Sequence, residues 1–440
     1  MNLKTIFIGV VGISSFSVAG FYLSETYATA EHTGVAALTL QGTPKVEAAP
    51  INWNSGLTEQ YVTKAEFSED TENVVDTEFN LSIYSGARLE AAYPSVDPFL
   101  GESLQPGEVE ASAGLIKTLA DKVRADYEPG KALRDAHPKS HGCVTATMQF
   151  DANISAELTG GVIQPGASYE ALVRFSNGSP QPTNPDISGD TRGMAIKLFG
   201  VPGEKLFPDP GDENVQDFIM ISSPFFFINS AKNYTKFFEA VNTGHFSKIA
   251  AIPFYLGIKG SKQALTMMRQ TIANPLETRY WSVVPSQLGT GDTRQAIKFS
   301  MRPLGPTNSQ IPANPASDYL RQAMAKTLAN RSYQMEFLIQ RRGNTKLSVE
   351  DSVPEWPESK APFERVGVLT IHQQNFNTPE RDTYCENQSF NPWHSLHAHR
   401  PLGMISRTRR VVYQAIAELR HQMNGASYPT GLPVDVDSSQ

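Results

Sequence analysis

Between residues 134 and 200, β-branched and aromatic residues alternate with small or polar ones, and turn signals such as Asn177-Gly178 and Pro202-Gly203 break the runs. Successive strand side chains point to opposite faces, so this pattern predicts antiparallel strands, each with one face buried. The strand pattern returns over 295–302, over 333–341, where Met335, Phe337 and Ile339 share a face, and over 366–372. Helical spacing intervenes at 229–241, 261–274 and 317–328, and precedes the strands at 108–127, where Leu115, Ile116, Leu119 and Val123 recur on one face. The order predicts a barrel with an inserted helical section, followed by a wrapping loop rich in Pro and Asn.

The chain ends in an amphipathic helix, 406–423, carrying Arg409, Tyr413 and Arg420. At roughly 100° per residue these three fall within about 40° of one another, so two guanidinium groups flank one phenol. A neighbouring cation favours phenolate over phenol, and tyrosinate is an axial ligand of haem iron. The simpler alternative is a core tyrosine with solvated arginines beside it.

Upstream, the segment 133–149 reads LRDAHPKSHGCVTATMQ, with Arg134 three residues before His137. Then come ALVRFSN at 171–177, in which Arg174 and Ser176 share a strand face, DTRGMAIKLF at 190–199 and QDFIMISSPFFFI at 216–228. In this order, with Phe390 to Pro392 and the Arg409–Tyr413 spacing, the pieces resemble the motifs of the haem-dependent catalases from about residue 105 to about 423. The resemblance implies an α+β fold: an eight-stranded antiparallel β-barrel with inserted helices, a wrapping loop and a C-terminal helix bearing the haem ligand.

Residue by residue, the resemblance makes His137 the distal acid–base residue, with Ser176 holding its ring, and Tyr413 the iron ligand. Arg134, Arg174 and Arg420 match the arginines that neutralise haem propionates, and Arg409 matches the one that bonds the phenolate. The implied cofactor is haem b, and the implied reaction is the consumption of hydrogen peroxide or organic hydroperoxides, with a small organic reductant as a further partner. Ser222 stands where the family has an asparagine amide beside the peroxide. A hydroxyl directs a hydrogen bond less well than an amide, which raises peroxidase or lipid hydroperoxide chemistry, or haem binding with little turnover, as alternatives. Pro138 after His137, and Ser140 in place of a family glycine, also depart from the pattern. His141 is a second candidate for the distal base.

A net charge of −7 without a basic stripe argues against a nucleic-acid surface. Residues 1–30 read as a signal peptide or N-terminal anchor, with an apolar run and the small-residue site Ala28-Thr29-Ala30. They predict a periplasmic or secreted protein, or a membrane-anchored one facing the periplasm. Residues 31–105 read as an extended arm, 106–423 as the catalase-like haem domain and 424–440 as a polar tail. The two cysteines, Cys143 and Cys385, could form one disulfide in an oxidising compartment or remain buried thiols. His394, His397 and His399 form a weakly specific candidate for zinc or copper, with no carboxylate expected close by as a fourth ligand.

Overall fold

The computed structural model describes residues 84–433. The predicted signal or anchor, the arm up to residue 83 and the tail from residue 434 lie outside the described residues. The helices are α1 (Gly86–Ala92), α2 (Glu108–Asp126), α3 (Ala231–Thr243), α4 (Phe246–Ala250), α5 (Ile252–Met268), α6 (Tyr319–Asn330), α7 (Pro379–Asn387) and α8 (Met404–Asn424). The strands are β1 (Ser140–Phe150), β2 (Ser168–Asn177), β3 (Arg192–Phe199), β4 (Val215–Ile221), β5 (Tyr280–Trp281), β6 (Ser286–Leu288), β7 (Gln295–Pro303), β8 (Tyr333–Arg341) and β9 (Phe363–Ile371).

All pairings between strands are antiparallel, in the order β5-β4-β3-β2-β1-β9-β8-β7-β6. Because β5 also pairs with β7, eight strands close on themselves and β6 lies beside β7 as a flap. The alternation seen in the sequence decides what fills the barrel. Val173 and Phe175 of β2, Ile196 and Leu198 of β3, and Met335 and Phe337 of β8 point inward with Phe218 and Phe299 and are buried together. Each large apolar side chain buried this way contributes about 1.5–3 kcal/mol relative to exposure. The interior is therefore packed, and the intervening residues of each strand face outward.

Outside the barrel, α2 lies against α3 and α8. Leu115, Ile116, Leu119 and Val123 of α2 meet Val411, Val412, Ala415, Ile416 and Leu419 of α8, and Tyr84 and Leu89 join the same cluster. Helix α3 is capped by Ser230, whose hydroxyl accepts from the Asn233 N–H, and ends at Gly244 in the left-handed region. The sequence placed the next helix at 261–274. It instead spans Ile252–Met268, begins beside Pro253 and bends at Gly257 (φ 66°). Its Phe254 and Ile258 are 83% and 95% exposed, so no inward apolar stripe marked this stretch as helical. The Pro- and Asn-rich wrapping segment also contains α7, started by Thr378 and Pro379, which the sequence left as loop. Among the described residues no helix is long and apolar enough to cross a membrane.

Candidate functional site

The site grows from the outer face of β2. Because Val173 and Phe175 face the core, Arg174 and Ser176 face out, beneath the chain that leads into β1. Ser176 lies opposite Gly193 of β3 in the ladder. A Cβ at residue 193 would stand 2.6 Å from His137 Nδ1 and 2.7 Å from Ser176 Oγ, so only glycine leaves room for the imidazole. His137 Nδ1 is 3.0 Å from Ser176 Oγ, and the His137 carbonyl accepts from Arg174 Nη2 at 2.8 Å. His137 itself adopts φ 60°, rare for a non-glycine residue and costly ahead of a proline. The two bonds to β2 hold it there.

His137 is half-buried, yet burial is the main cause that pushes its imidazole down to about 4, followed by the Arg174 and Arg409 charges. At neutral pH this imidazole is an uncharged base. With Nδ1–H donated to Ser176 Oγ, Nε2 is the nitrogen left with the lone pair.

Three guanidinium groups stand together beside it. Arg134 Nη1 lies 2.7 Å from Glu386 Oε2, an ion pair that lacks hydrogen-bond alignment, and Arg420 Nη1 lies 3.5 Å from Glu386 Oε1. Arg174 Nε is buried without a hydrogen-bond partner among the described residues. Burial and the neighbouring arginines push Arg174 down to about 9 and Arg420 down to about 10, so both remain charged at neutral pH. Burial pushes the Asp135 carboxyl up, toward its neutral form. Glu386 forms ion pairs with two of the three arginines and none is formed by Arg174 among the described residues, so positive charge is in excess in a place where a buried charge is costly unless paired.

On α8, Arg409 and Tyr413 are one turn apart and half-buried. Neither side chain makes a hydrogen bond or ion pair with another described residue. Arg409 lies close enough to His137 to act on its charge, and both Arg409 and Tyr413 act on Tyr234 of α3, whose hydroxyl is driven up chiefly by burial. Tyr413 also packs against the α2–α8 cluster, as the simpler reading of the sequence expected.

Ser222 is buried nearby with its hydroxyl committed: Oγ accepts from the Arg192 N–H at 2.9 Å and donates to Gln270 Oε1 at 2.8 Å. His141 is turned elsewhere, with Nε2 2.9 Å from Asn177 Oδ1 and Nδ1 3.9 Å from Asp186. The wrapping-loop histidines do not converge on a metal. His394 Nε2 lies 3.1 Å from Asp209, and its Nδ1 lies 3.0 Å from Asp217. Three carboxylates that are remote in sequence thus surround it, contrary to the expectation of none nearby. Asp209, Asp212 and His394 have metal-ligand spacing, but Lys197 Nζ already sits 2.6 Å from Asp212, supplying a cation. His399 Nε2 accepts from the Val162 N–H at 3.0 Å. Cys143 of β1 and Cys385 of α7 are joined in a disulfide. The sequence reading missed Gly193, Glu386 and Gln270. Gly193 had a signal, since it lies in the DTRGMA run, and Glu386 follows Cys385 directly.

No protein-family profile matches the chain, and no curated protein matches its sequence. Solved structures do. A fungal catalase superposes with a TM-score of 0.53 at 16% identity, covering 73% of this chain and 68% of that one. A bacterial catalase gives 0.52 at 16%, covering 72% and 63%. Catalase A from Saccharomyces cerevisiae gives 0.51 at 17%, covering 73% and 70%. The fold is catalase-like. Within that catalase-like fold the residues present suit a haem. The excess positive charge and the orphaned Arg174 N–H fit a group bearing two carboxylates, Gly193 makes room for the His137 ring, and Tyr413 offers an uncommitted oxygen.

Proposed function

We propose that this protein is a haem-dependent oxidoreductase that consumes hydrogen peroxide or organic hydroperoxides. The observation that carries this reading is the excess positive charge of Arg134, Arg174 and Arg420 beside the His137–Ser176 pair. The three arginines would hold the propionates and Tyr413 would bind the iron, with Arg409 one turn away on the same helix. When bound, haem supplies a redox-active iron at which a peroxide O–O bond is cleaved.

The chain's own residues handle the proton. Ser176 fixes the His137 tautomer, and the depressed imidazole pKa keeps Nε2 free to accept a proton from one peroxide oxygen and return it to the other. Ser222 cannot orient a second peroxide without first releasing Gln270, which favours an organic reductant over a second peroxide as the closing partner. The leader-like N-terminus and the Cys143–Cys385 disulfide support action outside the cytoplasm, in the periplasm or as a secreted protein.

The test is an absorption spectrum of the protein expressed with excess haem, followed by oxygen release and donor oxidation on adding peroxide. A high-spin ferric spectrum that changes in Tyr413→Phe, with turnover lowered roughly 10²–10⁴-fold in His137→Ala while haem stays bound, is the expected result. A chain that takes up no haem would overturn the reading.

A further inference from the structure

On the opposite side of β7 from the packed core lies a cavity of about 250 Å³, just below the roughly 300–1,000 Å³ of ordinary ligand pockets and so suited to a small ligand. It is walled by Pro224, Trp281, Val283, Lys298, Trp356 and Phe363, with Glu355 and Glu358 exposed at its rim. Lys298 alternates with the inward-facing Ile297 and Phe299, so the strand period itself turns its side chain into this space. We propose that Lys298 forms an imine with a small aldehyde or ketone whose apolar or aromatic body rests against Trp356 and Trp281.

Four observations converge on this amine. Lys298 is 4% exposed, and its Nζ has no hydrogen-bond partner among the described residues. Such an orphan normally costs stability unless a ligand meets it. Its nearest described partner is the Trp356 ring, whose centroid is 5.0 Å from Nζ. Arg279, the other cation in the neighbourhood, is paired with Glu358 at 3.0 Å and stacked on Trp281 and Phe363, and its guanidinium is not a nucleophile, so Lys298 is the amine of this space. Burial pushes the ammonium down to about 7 against the opposing pull of Asp351 and Glu355, and a substantial share of the amine is nucleophilic free base at neutral pH. Finally, Val283 adopts φ 65° in the cavity wall, a strained conformation for a β-branched residue, and such strain clusters at ligand sites.

The acidic rim argues against an anion and for a neutral electrophile. In the reaction the Nζ lone pair adds to the carbonyl carbon and the C=O π pair moves to oxygen. One amine hydrogen transfers to that oxygen, and the second leaves with it as water when the C=N bond forms. No oxidant or reductant is consumed. Glu355, at the mouth, is available to exchange these protons with solvent.

The experiment treats the full-length protein with benzaldehyde and cyanoborohydride at pH 7 and maps benzylated lysines by peptide mass spectrometry over a range of benzaldehyde concentrations. Lys298 should be labelled roughly 10–100-fold faster than exposed Lys360, since its larger free-base fraction outweighs its lower basicity. Its rate should saturate with benzaldehyde. Lys298→Met should lose that adduct alone, and Trp356→Leu should raise the half-saturating concentration. Labelling of Lys298 no faster than Lys360, or a rate that rises linearly without saturation, would overturn the proposal; the wild-type kinetics decide this even where a variant fails to fold. Haem loading plays no part in the readout.

Discussion

Two kinds of buried charge cluster stand side by side in this molecule. Around Arg407, the carboxylates of Glu102, Glu108 and Glu350 lie at 2.8, 2.7 and 2.9 Å, and Arg400 adds a second cation to Glu102 at 2.6 Å. Lys197 and His394 likewise sit among Asp209, Asp212 and Asp217. In each of these clusters two cations meet three carboxylates, and the ion pairs tie the segment before α2, the β3–β4 connection and the wrapping loop to the rest of the fold. Around Arg134, Arg174 and Arg420 a single glutamate answers three guanidinium groups. Two networks thus carry an excess of carboxylate, whereas the third, beside the half-buried His137, carries an excess of guanidinium, which is the charge that the proposed haem propionates would meet.

The sharpest way to break the comparison is to remove one cation from each kind of cluster. Arg407→Met leaves buried carboxylates unpaired and should cost about 3–5 kcal/mol in urea unfolding. If that loss stays under about 1 kcal/mol, Arg407 is not what holds the network together. The His394 cluster should show itself through pH. Paired with Asp209 and Asp217, His394 is raised to about 9 in the folded state from an unfolded value near 6.5, so its contribution is complete below 6.5 and lost as pH climbs through 9. Thermal unfolding should therefore weaken by roughly 2–4 kcal/mol across that window, and a flat profile would mean that His394 is neutral. Arg174→Gln should behave oppositely to Arg407→Met. It relieves crowding among like charges, so the haem-free protein should keep or gain stability. Haem retention should fall about 10–100-fold, as for loss of a charged hydrogen bond. The smallest effect is expected at Ser222. Ser222→Ala strands the Arg192 N–H and Gln270 at a cost of about 1 kcal/mol, with peroxide turnover unchanged because the hydroxyl is already engaged. A tenfold fall in turnover would instead place that hydroxyl on the substrate.

Strong periodicity was legible in the sequence. Strand 333–341 falls where its alternation put it, and the helix read at 406–423 is Met404–Asn424. The Arg409–Tyr413 spacing and the shared face of Arg174 and Ser176 follow from period alone. What stayed hidden depends on contacts across the fold. A two-residue strand such as β5 has no period to detect, and α5 lacks a buried stripe. The carboxylates around His394 come from positions 209 to 217, nearly two hundred residues earlier in the chain, so local reading saw a bare histidine. The commitment of Ser222 to Gln270 could not be read because residue 270 lies beyond the helical insertion. The cysteine pairing stayed open for the same reason, being a matter of a 5.8 Å Cα separation across 242 residues.

The barrel is closed by very little. Its seam is β5, which meets β4 only through Ile221 and Trp281, and β7 only through Tyr280 with Met301 and Trp281 with Ser300. Every other wall of the ring is a ladder of five or more residue pairs. In such a structure local opening begins where the fewest bonds must part. The amides of 280–281 should exchange with deuterium well before those of β1 or β8, making β5 the place where this barrel breathes. Trp281 also walls the Lys298 cavity, so the weakest line in the cylinder borders the space around that amine.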